Sequence, residues 1–127
     1  MLSTLIATFL VLAASAGDDA AATCQSALRN YDARMIAAAN VQQALARMDE
    51  QHWTTPEGRV AKLFLFEHQE RLAQELRTET VSVRAACREV TGFEQVDTEL
   101  RKLEPVLRTI EIDSRQMKIL LSGGRQA

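Results

Sequence analysis

Cysteine and histidine are the residues of this chain whose chemistry is easiest to recognise, and each type occurs only twice. Cys24 and Cys87 could form a disulfide, and His52 and His68 could contribute metal ligands. Neither cysteine lies in a C-x-x-C sequence, which thiol oxidoreductases and c-type haem proteins use. In a helical hairpin the two histidines would lie about 13 Å apart along the helix axis, too far to share one ion. We therefore predict no metal site and no cofactor.

The chain carries none of the short motifs that mark hydrolases, nucleotide-binding proteins or metal enzymes. The patterns H-E-x-x-H, E-x-x-H, G-x-S-x-G, G-x-G-x-x-G and the P-loop are all missing from the sequence. Its 17 acidic residues are spread along predicted helix faces, mostly near arginine, and are expected to be solvated. A net charge of −2 does not supply the cationic surface that general nucleic-acid binding needs. We expect no enzymatic activity and no nucleic-acid partner.

The amino terminus has the pattern of a targeting segment. Residues 5–14 form an uncharged apolar run as long as a signal-peptide core, and Ala14-Ser15-Ala16 matches the small-x-small pattern before a cleavage point. The run is shorter than the roughly 20 apolar residues of a membrane span. Because no Lys or Arg precedes it, an uncleaved anchor and a buried helix stay as alternatives. We predict a signal peptide over residues 1–16 and a periplasmic or secreted protein without a membrane span after cleavage.

Three long helices are predicted after this segment, over about residues 20–53, 56–90 and 93–121. Glycine and proline, which interrupt helices, number only five and two. Apolar residues recur every three or four positions in each helix, and in the third they form the heptad pattern of a coiled-coil seam. The heptad pattern of the third helix continues in the same phase past Pro105. This proline therefore predicts a kink in the helix and not its end. The fold class is therefore all-α: an antiparallel three-helix bundle with coiled-coil-like seams, one domain over residues 17–127.

Capping signals mark the two connections between the predicted helices. Thr55 and Pro56 suit the N-cap and the first residue of the second helix. Gly92 suits a left-handed residue at the end of that helix, and Thr91 with Glu94 predicts a capping box for the third. Both connections are short, so neighbouring helices should run antiparallel.

Folding the first two helices about the turn at residues 54–56 places Cys24 opposite Cys87. Both cysteines then lie at facing, apolar positions of a chain that is predicted to be exported. We predict a disulfide between them, with two buried reduced thiols as the alternative. The other facing pairs in this register lie almost entirely on the apolar stripes; they include Leu28 with Val83, Tyr31 with Thr80, Met35 with Leu76, Leu45 with Phe66 and Met48 with Leu63.

The start of the second helix is more apolar than a bundle seam requires. Six of the seven residues over 60–66 are apolar, whereas a seam needs about three in seven. Such an end is either the thick part of the core or a site for a partner. We predict that Phe64 or Phe66 is partly exposed and contacts a protein partner or a second copy. The residues of this predicted partner-binding site are Trp53, Leu63, Phe64, Phe66, Ile119 and Leu120.

Together these features predict a non-enzymatic, exported helical protein that acts in binding or assembly. Examples of that class are a periplasmic adaptor, a chaperone-like factor and a secretion-system component. A structural coiled-coil oligomer is the first alternative, and a small metal-binding protein is the second. Light scattering separates the first two hypotheses, because an obligate oligomer would show no monomer.

Overall fold

The structure, a computed structural model, describes residues 18–48 and 50–123, apart from the side chains of Asp18, Gln51 and His52. Within these ranges the regular elements are all helices, and no strand occurs. The predicted all-α bundle of three long helices is confirmed. The predicted signal peptide of residues 1–16 lies outside the described residues. The helices are α1 (Asp18–Ala46), the short α2 (Gln51–Thr54), α3 (Pro56–Cys87) and α4 (Phe93–Leu121).

Helix α3 is the central element of the bundle. The backbones of α1 and α4 each approach α3 closely, whereas α1 and α4 approach one another much less. Arg34 of α1 forms an ion pair with Glu79 of α3, at 2.8 Å. Arg84 of α3 pairs with Asp97 of α4, at 2.7 Å. The second contact joins the end of α3 to the start of α4, as the predicted antiparallel arrangement requires.

The apolar core extends from what we call the cysteine end, where α1 and α4 begin and α3 ends. Cys24 and Cys87 are buried there, their sulfur atoms lie at disulfide distance, and their Cα atoms are 4.6 Å apart. The predicted facing register of α1 and α3 therefore holds at this end. All three long helices contribute to the core, which contains Cys24, Ala27, Leu28, Tyr31, Met35, Leu76, Val83, Cys87, Val90, Val96, Leu100, Leu103 and Leu107.

The helix starts agree with the sequence at α3 and differ from it at α4. The Thr55 hydroxyl accepts a hydrogen bond from the Gly58 amide at 3.1 Å, and Pro56 is the first helical residue, as predicted. At α4, Gly92 itself is the N-cap residue, with a φ of 90°, and no side chain caps the helix. The predicted capping box on Thr91 is therefore wrong, because Thr91 lies one residue before the position from which a side chain could cap.

Helix α1 ends seven residues before the predicted boundary at residue 53. Beyond Ala46 its hydrogen bonds tighten to three-residue spacing, as in the bond from the Met48 amide to the Leu45 carbonyl at 3.2 Å. The chain then turns and forms the short α2. This turn brings the Trp53 ring back over Lys62 of α3, which an uninterrupted helix would carry away from it. The end of α3 is also earlier than predicted, at Cys87 instead of residue 90.

Helix α4 continues without interruption through Pro105. The proline is exposed, so the carbonyl that it leaves without a helical partner belongs to the solvent side of the helix. On the opposite side the predicted heptad stripe is buried from Val96 to Leu107 and again at Ser114 and Leu121, whereas Ile110 and Met117 are half-buried.

Candidate protein-binding surface

The end of the bundle opposite the cysteines, which we call the loop end, has a different interior. It consists of the end of α1, α2, the start of α3 and the end of α4. Val41, Leu72 and Leu121 are buried there, but they do not belong to the continuous apolar core. The interior of the loop end is therefore not a simple extension of that core.

A polar contact occupies the middle of the α3–α4 seam at the loop end. Ser114 lies on the heptad stripe of α4 and is 0% exposed. Its hydroxyl accepts a hydrogen bond from the Gln69 side chain at 2.8 Å and donates one to the Ile110 carbonyl at 2.7 Å. Both buried polar side chains are thus satisfied, as buried groups generally are.

Two buried carboxylates extend this polar interior along the seam. Glu70 of α3 accepts hydrogen bonds from Lys118 at 2.7 Å and from Arg115 at 3.1 Å, both on α4. Glu111 of α4 accepts one from Gln74 of α3 at 3.0 Å and one from Arg115 at 3.1 Å. The carboxylates therefore form a network across the two helices, in which Arg115 joins both acids.

The network favours the ionised form of both acids. The hydrogen bond from Lys118 contributes most to holding the pKa of Glu70 below its usual value, and the bond from Gln74 does so for Glu111. The prediction that the acidic residues are solvated is therefore wrong for Glu70 and Glu111, which are buried. Both carboxylates bond to side chains of the facing helix, and Glu111 also bonds to Arg115 of its own helix. This pairing allows the charges to be buried.

The third buried charge of the loop end lies beneath the short helix α2. Lys62 is only 4% exposed, and its ammonium group is 4.0 Å from the centre of the Trp53 ring. A cation held over an indole face is stabilised by the ring quadrupole. Trp53 itself is still partly open to solvent.

Several large apolar side chains of this end are exposed to solvent. Phe64 is 69% exposed and Val60 is 65% exposed. Of the six residues predicted to bind a partner, four are exposed and two, Leu63 and Phe66, are half-buried. The loop end thus differs from an ordinary bundle, since paired polar groups share its interior with buried apolar residues while other large apolar side chains lie on its surface. The four exposed residues of the predicted set are Trp53, Phe64, Ile119 and Leu120.

Val60 belongs to a stripe of α3 that borders α4. Val60, Glu67 and Gln74 are seven residues apart and so lie in one line along the helix. Gln74 at the end of that line bonds to Glu111 of α4. The line therefore runs along the seam between the two helices, on the side away from the core.

Ile119 occupies the matching position on α4. Ile112, Arg115 and Ile119 follow one another at spacings of three and four residues, and Arg115 bonds to Glu70 of α3. Both isoleucines are exposed. We call Val60, Phe64, Ile112 and Ile119 the outer patch.

Two members of the outer patch, Val60 and Ile112, were not in the predicted site. The signal that could have found them is their spacing. Val60 is four residues before Phe64 and Ile112 is seven before Ile119, so each shares a helix face with a predicted residue.

Other kinds of site find little support in the residues that the structure describes. No group of three or more His, Cys, Asp or Glu side chains is arranged to hold a metal ion within those ranges. His68 packs near Phe64, with ring centres 6.5 Å apart, and the distance to the His52 side chain stays a prediction. None of the described helices has an apolar stretch long enough to cross a membrane. Comparison with family models, with curated proteins and with solved structures found no match to this chain.

Proposed function

We propose that this chain is a non-enzymatic, exported protein that binds another protein through the outer patch of its loop end. The observation that carries the proposal is the exposure of large apolar side chains at that end, on helices whose interior side is partly polar. Phe64 and Val60 are exposed on the same helix whose interior side carries the buried Gln69 and Glu70. Folding alone would favour the opposite arrangement, because burial of apolar surface stabilises the chain by about 25 cal/mol per Å².

The composition of the patch fits protein recognition better than it fits a small-molecule site. An exposed aromatic ring with aliphatic neighbours, surrounded by charged side chains, is typical of a protein contact. Glu67 and Arg71 border Phe64 on α3, and Arg115 borders Ile119 on α4. Aromatic and arginine side chains in such a setting tend to contribute a large share of the binding energy.

Export is supported by the amino-terminal pattern and by the cysteines. The run before Gly17 has the composition of a signal peptide. Disulfides persist mainly in oxidising compartments, and Cys24 and Cys87 lie at disulfide distance. We therefore expect the mature protein from the native host to begin at or near Gly17, which intact-mass measurement checks. Recovery of a soluble chain that retains Met1 would contradict export.

Site-specific photo-crosslinking in the native host tests the binding proposal. A benzophenone amino acid at position 64 should give a discrete crosslinked adduct, because the proposal places a partner against this ring. Position 78 is the matched control, since Thr78 is exposed on the same helix and lies fourteen residues, or four turns, away on the same face. Absence of an adduct at position 64, or equal yields at both positions, would contradict the proposal.

A further inference from the structure

The exposed face of α3 is arranged symmetrically about Phe64. Glu57 lies seven residues before Phe64 and Arg71 lies seven residues after it, so all three occupy one line along the helix. All three side chains are exposed. An acidic and a basic residue therefore stand at equal distances on either side of an exposed aromatic ring, about 10 Å away in each direction.

In two antiparallel copies of this helix, the charges on either side of Phe64 would complement each other. When two identical helices pack antiparallel about a twofold axis, residues at equal distances before and after the axis face each other. With the axis at Phe64, Glu57 of each helix would face Arg71 of the other. The same operation would bring the two Phe64 rings together.

We propose that the outer patch binds a second copy of this chain, in a twofold dimer in which two α3 helices pack antiparallel about Phe64. This inference rests on the proposed function, because it names the partner of the same surface. Phe64 supplies the apolar centre of the dimer contact. Two ion pairs, each between Glu57 of one copy and Arg71 of the other, flank it and select the antiparallel orientation.

Arg71 is available for that contact. Its guanidinium lies 3.7 Å from the Glu67 carboxylate within the same helix, and both side chains are more than half exposed. An exposed pair of this kind contributes little to stability. Arg71 can therefore reach a second copy without losing a strong contact in its own chain.

The size of the contact sets the expected affinity. The paired segment from Glu57 to Arg71 covers about 21 Å of each helix. Such a contact is smaller than a standard protein interface, which buries about 1,600 Å² in total. We therefore expect a reversible dimer with a dissociation constant in the micromolar range, not an obligate one.

Charge inversion tests the orientation and the partner together. Sedimentation equilibrium of the mature chain over a range of concentrations up to about 1 mM should show a monomer–dimer equilibrium. Glu57→Arg and Arg71→Glu should each weaken dimerisation by about tenfold or more, because each places like charges together twice. The double variant Glu57→Arg/Arg71→Glu restores opposite charges at both contacts, so it should dimerise nearly as well as the original chain. Arg88→Glu, an exposed inversion at the cysteine end, is the control and should have no effect on dimerisation.

Each outcome decides the inference separately from the proposed function. A chain that stays monomeric throughout, or inversions at positions 57 and 71 that behave like the Arg88→Glu control, would overturn the dimer. Weakening by the single inversions without recovery in the double variant would overturn the antiparallel pairing. Circular dichroism confirms that each variant is folded. If the dimer fails but position 64 still gives a crosslinked adduct to a different protein, the proposed function stands without this inference.

Discussion

Tyr31 combines complete burial with a hydroxyl group that has no hydrogen-bond partner among the described residues. It is 0% exposed, and burial raises the pKa of Tyr31 to about 12. Nearby Thr80 and Arg84 oppose this shift without cancelling it. The Thr80 hydroxyl donates its own hydrogen bond to the Leu76 carbonyl. The ring of Tyr31 therefore stabilises the core, whereas its buried hydroxyl lowers the stability of the fold.

Tyr31→Phe should leave the free energy of unfolding unchanged or raise it by up to about 1 kcal/mol. The substitution removes a buried polar group that forms no compensating bond, while it keeps the ring. Urea unfolding at neutral pH measures the difference. A loss of more than about 1 kcal/mol would reveal a bonding partner for the hydroxyl and would contradict this description.

Alkaline pH should destabilise the original chain through the same side chain. The pKa in the folded protein, about 12, lies above the ordinary value of 10.0. The unfolded chain therefore releases the proton first, so stability is complete below pH 10 and declines between pH 10 and about 12. Because the chain has a single tyrosine, absorbance of the phenolate reports it directly. Tyr31→Phe should remove this component of the pH dependence, and an unchanged alkaline profile in that variant would contradict it.

The cysteine pair should contribute strongly to stability. Cys24 and Cys87 are separated by 63 residues, and closing a loop of that length stabilises by about 4 kcal/mol in the chain-entropy model. Replacing both cysteines with serine should lower the free energy of unfolding by a few kcal/mol and preserve the helix content of the folded chain. Peptide mapping without reductant should recover one crosslinked pair within the monomer. Two free thiols in trapped native protein would refute the bond.

The contacts between α3 and α4 are apolar at one end of the seam and polar at the other. Apolar residues such as Leu100 and Leu103 pack into the core towards the cysteine end. Towards the loop end the seam depends on the bond between Gln69 and Ser114 and on the network of Glu70 and Glu111. The same pair of helices therefore responds differently to substitution at its two ends.

Ser114→Ala should lower the free energy of unfolding by about 1–3 kcal/mol. The variant leaves the buried amide of Gln69 without its acceptor, and an unsatisfied buried donor carries its full desolvation cost. The double variant Gln69→Leu/Ser114→Ala removes both polar groups and should recover most of that loss. Urea unfolding of both variants checks the pair. Equal losses in the single and double variants would mean that the hydrogen bond is not the cause.

Acid should weaken the same seam. The pKa values of Glu70 and Glu111 lie below their ordinary value of 4.5 in the folded chain. Their contribution to stability is therefore present above pH 4.5 and declines as the pH falls through the lower folded values. Unfolding free energies measured from pH 6 to pH 3 should fall less steeply in Glu70→Gln/Glu111→Gln than in the original chain. Parallel pH profiles would contradict the assignment.

The apolar pattern predicted the elements and the cysteine end well, and it failed in particular places at the loop end. Stripe positions identified the buried face of α4, and the facing register brought Cys24 to Cys87. The same pattern treated Glu70 and Glu111 as surface charges, because helix periodicity contains no information about bonding partners on a neighbouring helix. It also extended α1 past Ala46, since no glycine or proline marks the turn that brings Trp53 to Lys62.

At the scale of the whole molecule, the two ends of the bundle differ: one contains most of the stabilising core, and the other presents the surface that we propose binds a protein. The cysteine end contains the continuous apolar core and the cysteine pair. The loop end contains paired polar groups in its interior and presents Phe64 and its neighbours to solvent. A substitution on the outer patch should therefore change association without changing the fold.

The variant Phe64→Ser tests this division most directly. Phe66 is half-buried, so Phe66→Ser provides a comparison in which loss of packing is expected to lower stability. The decisive measurement is sedimentation equilibrium of the original chain and of Phe64→Ser, with both verified as folded by their thermal melting. We predict a reversible dimer for the original chain and a monomer for Phe64→Ser, with nearly the same melting temperature. Equal association of the two chains, or unfolding of Phe64→Ser, would contradict the account.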